Sequence, residues 1–182
     1  MKEYCFGIIC LFTSFLAYAH NRPLSELPPT YFYSWKNSYV CTSQTNSNDS
    51  LIHISVAGHE VDIIFPNEAP RGTLLIFPGW NFPRQDWCQK SSLCREAKQK
   101  GYVLVLPEMG KSLYSSSVFP ETDSDFLKYP SLDWLRDQLI PHLQEQYELL
   151  LPNAPNYLLG LSTGGRGVAL MALAKPDLFR AG

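Results

Sequence analysis

The sequence predicts an α/β fold in which a mostly parallel sheet is covered by helices on both faces. Continuous apolar runs at residues 73–77, 102–106 and 157–159 are typical of strands buried on both sides. Segments with helical periodicity follow these runs, so strand and helix alternate along the chain. With 45% hydrophobic and 18% charged residues, the 182-residue chain is globular rather than disordered, and we expect one folded domain.

The N-terminus has the pattern of a secretory signal peptide, residues 1–19. Lys2 precedes an apolar run at residues 5–16, and Ala17-Tyr18-Ala19 then provides a small-x-small cleavage site. The run is too short for a permanent membrane span. We therefore expect cleavage after Ala19, a secreted or periplasmic protein and no stable membrane anchor. A buried helix or an uncleaved anchor is the alternative reading of the run.

Charge and residue spacing exclude several classes of partner. Fifteen Lys and Arg residues against seventeen Asp and Glu residues give a formal net charge of −2. This balance lacks the excess positive charge that holds nucleic acid or an anionic membrane surface. The sequence contains no His-x-x-x-His or Cys-x-x-Cys spacing, so no motif predicts a metal site. We expect a small-molecule substrate, no nucleic-acid partner, no metal and no cofactor.

Three cysteines, Cys41, Cys88 and Cys94, remain after the predicted cleavage. Export permits disulfides, and the five intervening residues allow Cys88 to pair with Cys94 if they bracket a loop and a helical turn. An odd count leaves one thiol without a partner. The alternative is that all three are small buried side chains.

The first half of the chain begins with an N-terminal extension at residues 20–50, rich in Pro, Ser, Asn and aromatic side chains. Strands are predicted next at residues 51–56, 60–65 and 73–77, of which the third is buried. A glycine-containing loop is predicted at residues 78–83 and a helix at residues 86–100. Residues 57–59 are predicted to join the first two strands as a hairpin loop. His53 and His59, in or beside this hairpin, are interpreted as exposed residues.

The second half continues the alternation. Strands are predicted at residues 102–106 and 157–159, and helices at residues 132–150 and 168–174. A long loop is predicted at residues 108–129. Ser131 is expected to cap the first of these helices and Pro141 to kink it. His142, in the same helix, is interpreted as a surface residue. A loop as long as residues 108–129 is often functional in a compact domain.

The strongest chemical signal is a Gly-x-Ser-x-Gly motif, Gly160-Leu161-Ser162-Thr163-Gly164, between the last predicted strand and helix. Strand, motif and helix in this order are typical of a nucleophile elbow. The serine is held in a strained turn that projects its Oγ above the sheet edge. Glycines two residues to either side let strand and helix approach without a Cβ collision. The alternative is a glycine-rich turn with an ordinary serine.

These segments resemble the α/β-hydrolase superfamily and, within it, the esterase D-like group of S-formylglutathione hydrolases, feruloyl esterases and mycolyltransferases. Residues 74–80 stand where the family has a strand and a His-Gly-x loop, and residues 103–107 match its next strand. Residues 138–142 match its helix with an internal Leu-Ile-Pro, and residues 160–165 match the elbow. The resemblance implies an α/β-hydrolase fold over residues 51–182, incomplete after the elbow helix.

The resemblance also implies roles for individual residues. Ser162 would be the nucleophile, and the backbone N–H groups of Thr163 and Trp80 would stabilise the oxyanion. The chain departs from the family where Pro78 replaces the usual histidine of the loop. In the long loop, Glu108 and Tyr114 are candidates to line the substrate pocket.

A larger departure concerns the base. In this fold the order along the chain is nucleophile, acid and then histidine, but His20, His53, His59 and His142 all precede Ser162. We therefore expect the chain to be the N-terminal portion of a longer hydrolase and to be inactive by itself.

The predicted function is an exported serine hydrolase that cleaves carboxylic ester or thioester bonds through an acyl-enzyme on Ser162. The alternatives are a secreted, non-catalytic protein that uses the fold for binding, and an acyltransferase.

Overall fold

The computed structural model describes residues 50–121 and 126–182. The predicted signal peptide, Cys41, His20 and nearly all of the predicted extension lie outside this part, so these assignments and the boundary at residue 50 stay predictions. The described chain forms a five-stranded sheet with flanking helices. Its strands are β1 (Leu51–Val56), β2 (His59–Ile64), β3 (Gly72–Phe77), β4 (Tyr102–Pro107) and β5 (Asn156–Gly160).

The sheet is parallel where the sequence predicts buried strands. Its order is β1-β2-β4-β3-β5, and β3 pairs in parallel with both β4 and β5. The hairpin β1–β2 extends it on one side, with β2 antiparallel to β4. The carboxyl ends of β3, β4 and β5 therefore meet at one edge, where open α/β sheets form their sites.

Helices cover both faces of this sheet. They are α1 (Asp86–Lys90), α2 (Leu93–Gln99), α3 (Ser131–Trp134), α4 (Ile140–Tyr147) and α5 (Thr163–Ala174). Leu75 and Phe77 share one core cluster with residues of α3, α4 and α5, whereas Ile76 lies in a second cluster with residues of α2. This alternation along β3 follows from the two-residue period of a strand and explains its continuous apolar sequence. No helix in the described part is long and apolar enough to cross a membrane.

The β1–β2 hairpin is tighter than predicted. Ala57 and Gly58 both have positive φ angles, of 50° and 91°, and His59 is already the first residue of β2. Two residues in the left-handed region give the turn that matches the twist of the flanking strands. His59 is buried and stacks on Phe126 with 4.4 Å between ring centroids, so its predicted exposure is wrong.

The single helix predicted at residues 86–100 is two helices. It is interrupted at Ser91–Ser92, where α1 ends and α2 has not begun. A disulfide joins Cys88 of α1 to Cys94 of α2. The crosslink requires the two cysteines to face each other across the interruption. A continuous helix would not allow this, because positions six apart in sequence point away from each other.

The helix predicted at residues 132–150 contains a π-helical turn, Leu135–Leu139, between α3 and α4. Pro141 is the second residue of α4, and its missing N–H removes one backbone hydrogen bond close to this turn. Ser131 is the first residue of α3 rather than its cap, and its Oγ accepts a hydrogen bond from the Ser115 N–H at 3.2 Å. The predicted cap is therefore wrong, because the long loop uses this hydroxyl.

The last described residues lie beside β5. The Leu158 N–H donates to the Ala181 carbonyl at 3.0 Å, and Tyr157 and Ala181 form a parallel bridge. Asn156 is fully buried, and its side-chain amide donates to the carbonyls of Leu151 and Leu178 at 2.9 and 3.0 Å. This one side chain thus fixes β5 between the segment that precedes it and the segment that follows α5.

The disulfide yields a prediction about stability. Replacing Cys88→Ser together with Cys94→Ser should lower the free energy of unfolding by about 2 kcal/mol, because a short loop then gains entropy in the unfolded chain. Urea unfolding of both proteins, with and without dithiothreitol, measures the loss. The reductant should bring the wild-type protein to the variant's midpoint. An unchanged wild-type midpoint would show that the crosslink contributes nothing.

Candidate active site

Ser162 occupies a strained turn between β5 and α5. Its backbone angles, φ 56° and ψ −118°, lie in a region that side-chain-bearing residues rarely adopt, at a cost of about 1–3 kcal/mol. The residue is exposed, at the carboxyl edge of the parallel strands. Such strain persists only where the surroundings enforce it. A serine in this conformation presents its hydroxyl above the sheet, as the nucleophile-elbow interpretation requires.

The flanking glycines allow this turn by removing side chains at contacts between main-chain atoms. A Cβ at Gly160 would lie 2.3 Å from the Gly164 carbonyl oxygen. A Cβ at Gly164 would lie 2.3 Å from the Phe77 carbonyl oxygen and 2.7 Å from that of Pro78. Main-chain oxygens cannot move aside as a side chain can. The Gly-x-Ser-x-Gly spacing thus packs the elbow against itself and against the end of β3.

The loop after β3 lies against the elbow and carries the second predicted oxyanion donor. The Leu161 N–H donates to the Phe77 carbonyl at 3.4 Å, and a Cβ at Gly79 would lie 3.3 Å from the Leu161 oxygen. Among the described residues, no group accepts a hydrogen bond from the backbone N–H of Trp80 or Thr163. Thr163 is also the first residue of α5, where the helix dipole favours negative charge.

Two hydrogen bonds hold this loop to the segment after β4. The Tyr114 hydroxyl donates to the Pro78 carbonyl at 2.7 Å, and the Asn81 N–H donates to the Gly110 carbonyl at 2.8 Å. Tyr114 is fully buried, and its ring fills the space where a Cβ at Gly167 of α5 would lie, 2.4 Å from Cδ1. One side chain therefore connects the elbow helix to the loop of the predicted oxyanion donor.

Burial sets the protonation of Tyr114. Removal from water, followed by the negative charge of Glu108, raises the pKa of its hydroxyl far above the usual value near 10. The phenol therefore remains a donor to Pro78 throughout the physiological range. Its predicted role in lining a substrate pocket stays a prediction, while its observed contacts are with the protein interior.

Glu108 belongs to a second attachment of the same loop. The Arg84 backbone N–H and its Nη1 both donate to Glu108 Oε2, each at 3.2 Å. The Arg84 Nε lies 2.8 Å from Oδ1 of the buried Asp62, which also pairs with His53 Nδ1 at 2.7 Å. Burial alone would lower the pKa of Arg84, but the Asp62 and Glu108 carboxylates outweigh it and raise the pKa.

Arg84 and Asp62 were not predicted from the sequence. They are distant in sequence and belong to no motif, so only the folded chain shows the pairing. The role predicted for Glu108, in lining a substrate pocket, stays a prediction. Its observed partner is Arg84, the residue directly after the loop predicted at residues 78–83.

The described histidines are engaged away from the elbow. His53 pairs with Asp62 at the hairpin side of the sheet, and His59 packs between Phe126 and Trp134. His142 lies on α4 against Tyr147, with 6.0 Å between ring centroids. In the described part of the chain, no histidine or carboxylate hydrogen-bonds to Ser162, and no group of three potential metal ligands occurs.

Comparison with known proteins identifies the fold. No family model matches the sequence, and no curated protein matches it. The fluorophosphonate-binding serine hydrolase F of Staphylococcus aureus matches with a TM-score of 0.57 and 19% identity, over 72% of this chain and 53% of its own. S-formylglutathione hydrolases from Agrobacterium tumefaciens and S. aureus both match with a TM-score of 0.53. The A. tumefaciens enzyme is 19% identical over 66% of this chain and 50% of its own. The S. aureus enzyme is 18% identical over 74% of this chain and 59% of its own.

These matches show that the chain has the α/β-hydrolase fold, as predicted from the sequence. The solved structures include S-formylglutathione hydrolases, which belong to the esterase D-like group that the sequence resembles. The chain spans about half the length of the structures that it matches.

Adjacent glycines provide a matched test of the elbow packing. Gly164→Ala should lower the free energy of unfolding by about 3 kcal/mol, because its Cβ would meet two fixed carbonyl oxygens. Gly165→Ala should instead stabilise by about 0.5–1 kcal/mol, since its nearest contact is 3.8 Å away and alanine favours a helix. Chemical denaturation measures both. Similar values for the two variants would contradict the packing described.

Tyr114→Phe tests the attachment of the loop. Below pH 10 the variant should be less stable by about 1–2 kcal/mol, because the buried Pro78 carbonyl loses its donor. The raised folded-state pKa contributes stability that is fully present below the unfolded pKa near 10 and declines as pH rises above it. The difference between wild type and variant should therefore narrow by about 1.4 kcal/mol between pH 8 and pH 11. A constant difference over this range would contradict a buried, neutral phenol.

Proposed function

We propose that this chain carries the nucleophile and the oxyanion donors of an exported serine hydrolase that cleaves carboxylic ester or thioester bonds. The observation that carries the proposal is the backbone of Ser162, held at φ 56° between β5 and α5 by glycines that admit no side chain. The leader expected at residues 1–19 supports export. The titles of the matching structures, serine hydrolase and S-formylglutathione hydrolase, support the choice of ester and thioester substrates.

The proposed reaction begins with attack of Ser162 Oγ on the carbonyl carbon. An O–C bond forms, the carbonyl electrons move to the oxygen, and the serine proton passes to a base. The N–H groups of Trp80 and Thr163 would hold this oxyanion, each worth roughly 3–4 kcal/mol in the transition state. Collapse breaks the bond to the alcohol or thiol, which takes the proton and leaves an acyl-enzyme. Water then releases the acid by the same route.

The packing around the donors supports this assignment. An oxyanion site works because its donors are fixed before charge develops. Tyr114 holds Pro78 directly before the Gly79–Trp80 peptide, while Gly110 holds Asn81 directly after it. The Trp80 N–H is thus fixed from both sides. The Thr163 N–H is fixed as the start of a twelve-residue helix.

The described residues supply no base to Ser162. A neutral serine is a weak nucleophile unless a neighbouring group takes its proton. In the described residues no histidine or carboxylate bonds to Ser162, and His53, His59 and His142 have other neighbours. We propose that the 182-residue chain by itself is inactive as a hydrolase. The same observation favours a second candidate function, a secreted binding protein that has the fold without catalysis.

A thiol at position 162 separates these candidates, because a thiolate forms near pH 8.5 without a base. The wild-type chain should hydrolyse p-nitrophenyl acetate no faster than Ser162→Ala. Ser162→Cys should be acetylated at its new thiol, which attacks the carbonyl, forms a C–S bond and releases p-nitrophenolate. With working oxyanion donors this step should exceed that of the exposed control Ser117→Cys by roughly 100-fold.

Intact-mass measurement and peptide mapping identify the acetylated site and exclude the native cysteines. Equal rates at the two introduced thiols would remove the case for an oxyanion site and favour the binding protein. Turnover by the wild-type chain that depends on Ser162 would contradict inactivity and reveal a base within it.

A further inference from the structure

A cavity of about 610 Å³ opens at the sheet edge opposite Ser162. It is formed by the segment after β2, by Arg71 directly before β3, and by α2 with the two residues that follow it. Ser162 follows β5, whose last residue is paired with the last residue of β3. A six-residue strand spans about 20 Å, so the cavity is separate from the proposed catalytic site.

Positive charge is concentrated around this cavity. Against the single carboxylate of Glu68, its lining carries four positively charged side chains: Arg71, Arg95, Lys98 and Lys100. The local balance is +3 (four positive charges minus one negative), whereas the whole chain carries −2. None of the four forms an ion pair with another described residue, and Lys98 Nζ donates only to the neutral Ser50 hydroxyl, at 2.6 Å. Their charge is therefore available to an anion.

The cations come from two segments that the fold brings together. The Arg71 N–H donates to the Gly101 carbonyl at 2.7 Å. The stem of Arg71 also packs across Gly101, where a Cβ would lie 3.0 Å from its Cγ. Arg95 and Lys98 are three residues apart on α2 and therefore lie on one side of that helix. The four side chains thus surround a concavity instead of following one another along a single segment.

The dipole of α2 explains only part of this charge. Positive side chains are favoured at the carboxyl end of a helix, which accounts for Lys98 and Lys100. Arg95 lies in the first turn, where the dipole disfavours a positive charge, and Arg71 is not in a helix. The stability of α2 therefore gives no reason for the two arginines.

We propose that the cavity binds a small, soluble polyanion that carries several phosphate or sulfate groups on a compact scaffold. A guanidinium group donates two parallel hydrogen bonds to the oxygens of such a group, and a lysine contributes a point charge. Sites for complete small molecules have volumes of about 300–1,000 Å³, so this volume suits a whole molecule rather than a single inorganic ion. The inference does not depend on Ser162 or on hydrolysis.

The concave shape and the overall charge favour a soluble ligand over a membrane. An anionic membrane surface attracts proteins that present an excess of positive charge to it. This chain is negative overall, so only a ligand small enough to contact the cavity alone would meet mainly positive charge.

Isothermal titration calorimetry of the chain tests the proposal, with myo-inositol hexakisphosphate as the phosphate probe and sucrose octasulfate as the sulfate probe. We expect saturable binding of one molecule per chain, and the tighter probe identifies which of the two groups the site prefers. Inorganic phosphate and sulfate should bind at least about tenfold more weakly, because each contacts only part of the cavity. Raising NaCl from about 50 mM to about 500 mM should weaken binding roughly tenfold by screening.

Matched variants locate the site. Arg95→Gln should weaken binding roughly tenfold, because a charged hydrogen-bond donor is lost. Lys100→Gln should weaken it about threefold, whereas Lys128→Gln, at an exposed lysine outside the cavity lining, should leave the affinity unchanged. Glu68→Gln should strengthen binding about twofold, since it removes the carboxylate of the lining, and a loss of folding cannot produce this gain. Urea unfolding midpoints check that the variants are folded.

Several results would overturn the proposal. They are no saturable binding of either probe, equal losses in Lys100→Gln and Lys128→Gln, and no effect of Arg95→Gln. Binding to phosphatidylserine vesicles without binding of a soluble probe would also overturn it and would assign the surface to a membrane. Ser162→Ala should bind the probes as the wild type does, so failure of the hydrolase proposal and failure of this one are distinguishable.

Discussion

The site depends on the contact between the elbow and the end of β3, where main-chain atoms approach closely enough to exclude a side chain. Gly164 lies against the carbonyls of Phe77 and Pro78, and Gly160 lies against Gly164 itself. With these contacts in place, Ser162 has no room to relax its backbone. The strained conformation is thus a consequence of packing, and it brings α5 and the loop after β3 to the same sheet edge.

Around this contact, side chains fix what the backbone has brought together. Tyr114 reaches from the interior to Pro78 and packs on Gly167, so the loop and the elbow helix share one buried residue. Arg84 extends the attachment to Glu108 and to the buried Asp62. The paired carboxylates leave the arginine charged, and its backbone N–H is used as well. An enzyme gains from such rigidity because donors that are already oriented need not reorganise when charge develops.

The sequence predicted the parts of the fold that depend on local pattern. Buried parallel strands are read from continuous apolar runs, and the elbow from glycines around Ser162. It did not predict the contacts that depend on the folded chain. The pairing of Arg84 with Asp62 joins segments that no motif relates, and the burial of His59 depends on the distant ring of Phe126. The break between α1 and α2 was not predicted, because residues 86–100 have helical composition on both sides of it.

In the proposed site, Trp80 and Thr163 present their backbone N–H groups to the carbonyl oxygen of an acyl group bonded to residue 162. The most direct measurement is a crystal structure of Ser162→Cys after acylation with p-nitrophenyl acetate. We expect the thioester oxygen to lie about 3 Å from both backbone nitrogens. A thioester oxygen that points to solvent, with neither N–H directed at it, would show that these two groups do not form an oxyanion site.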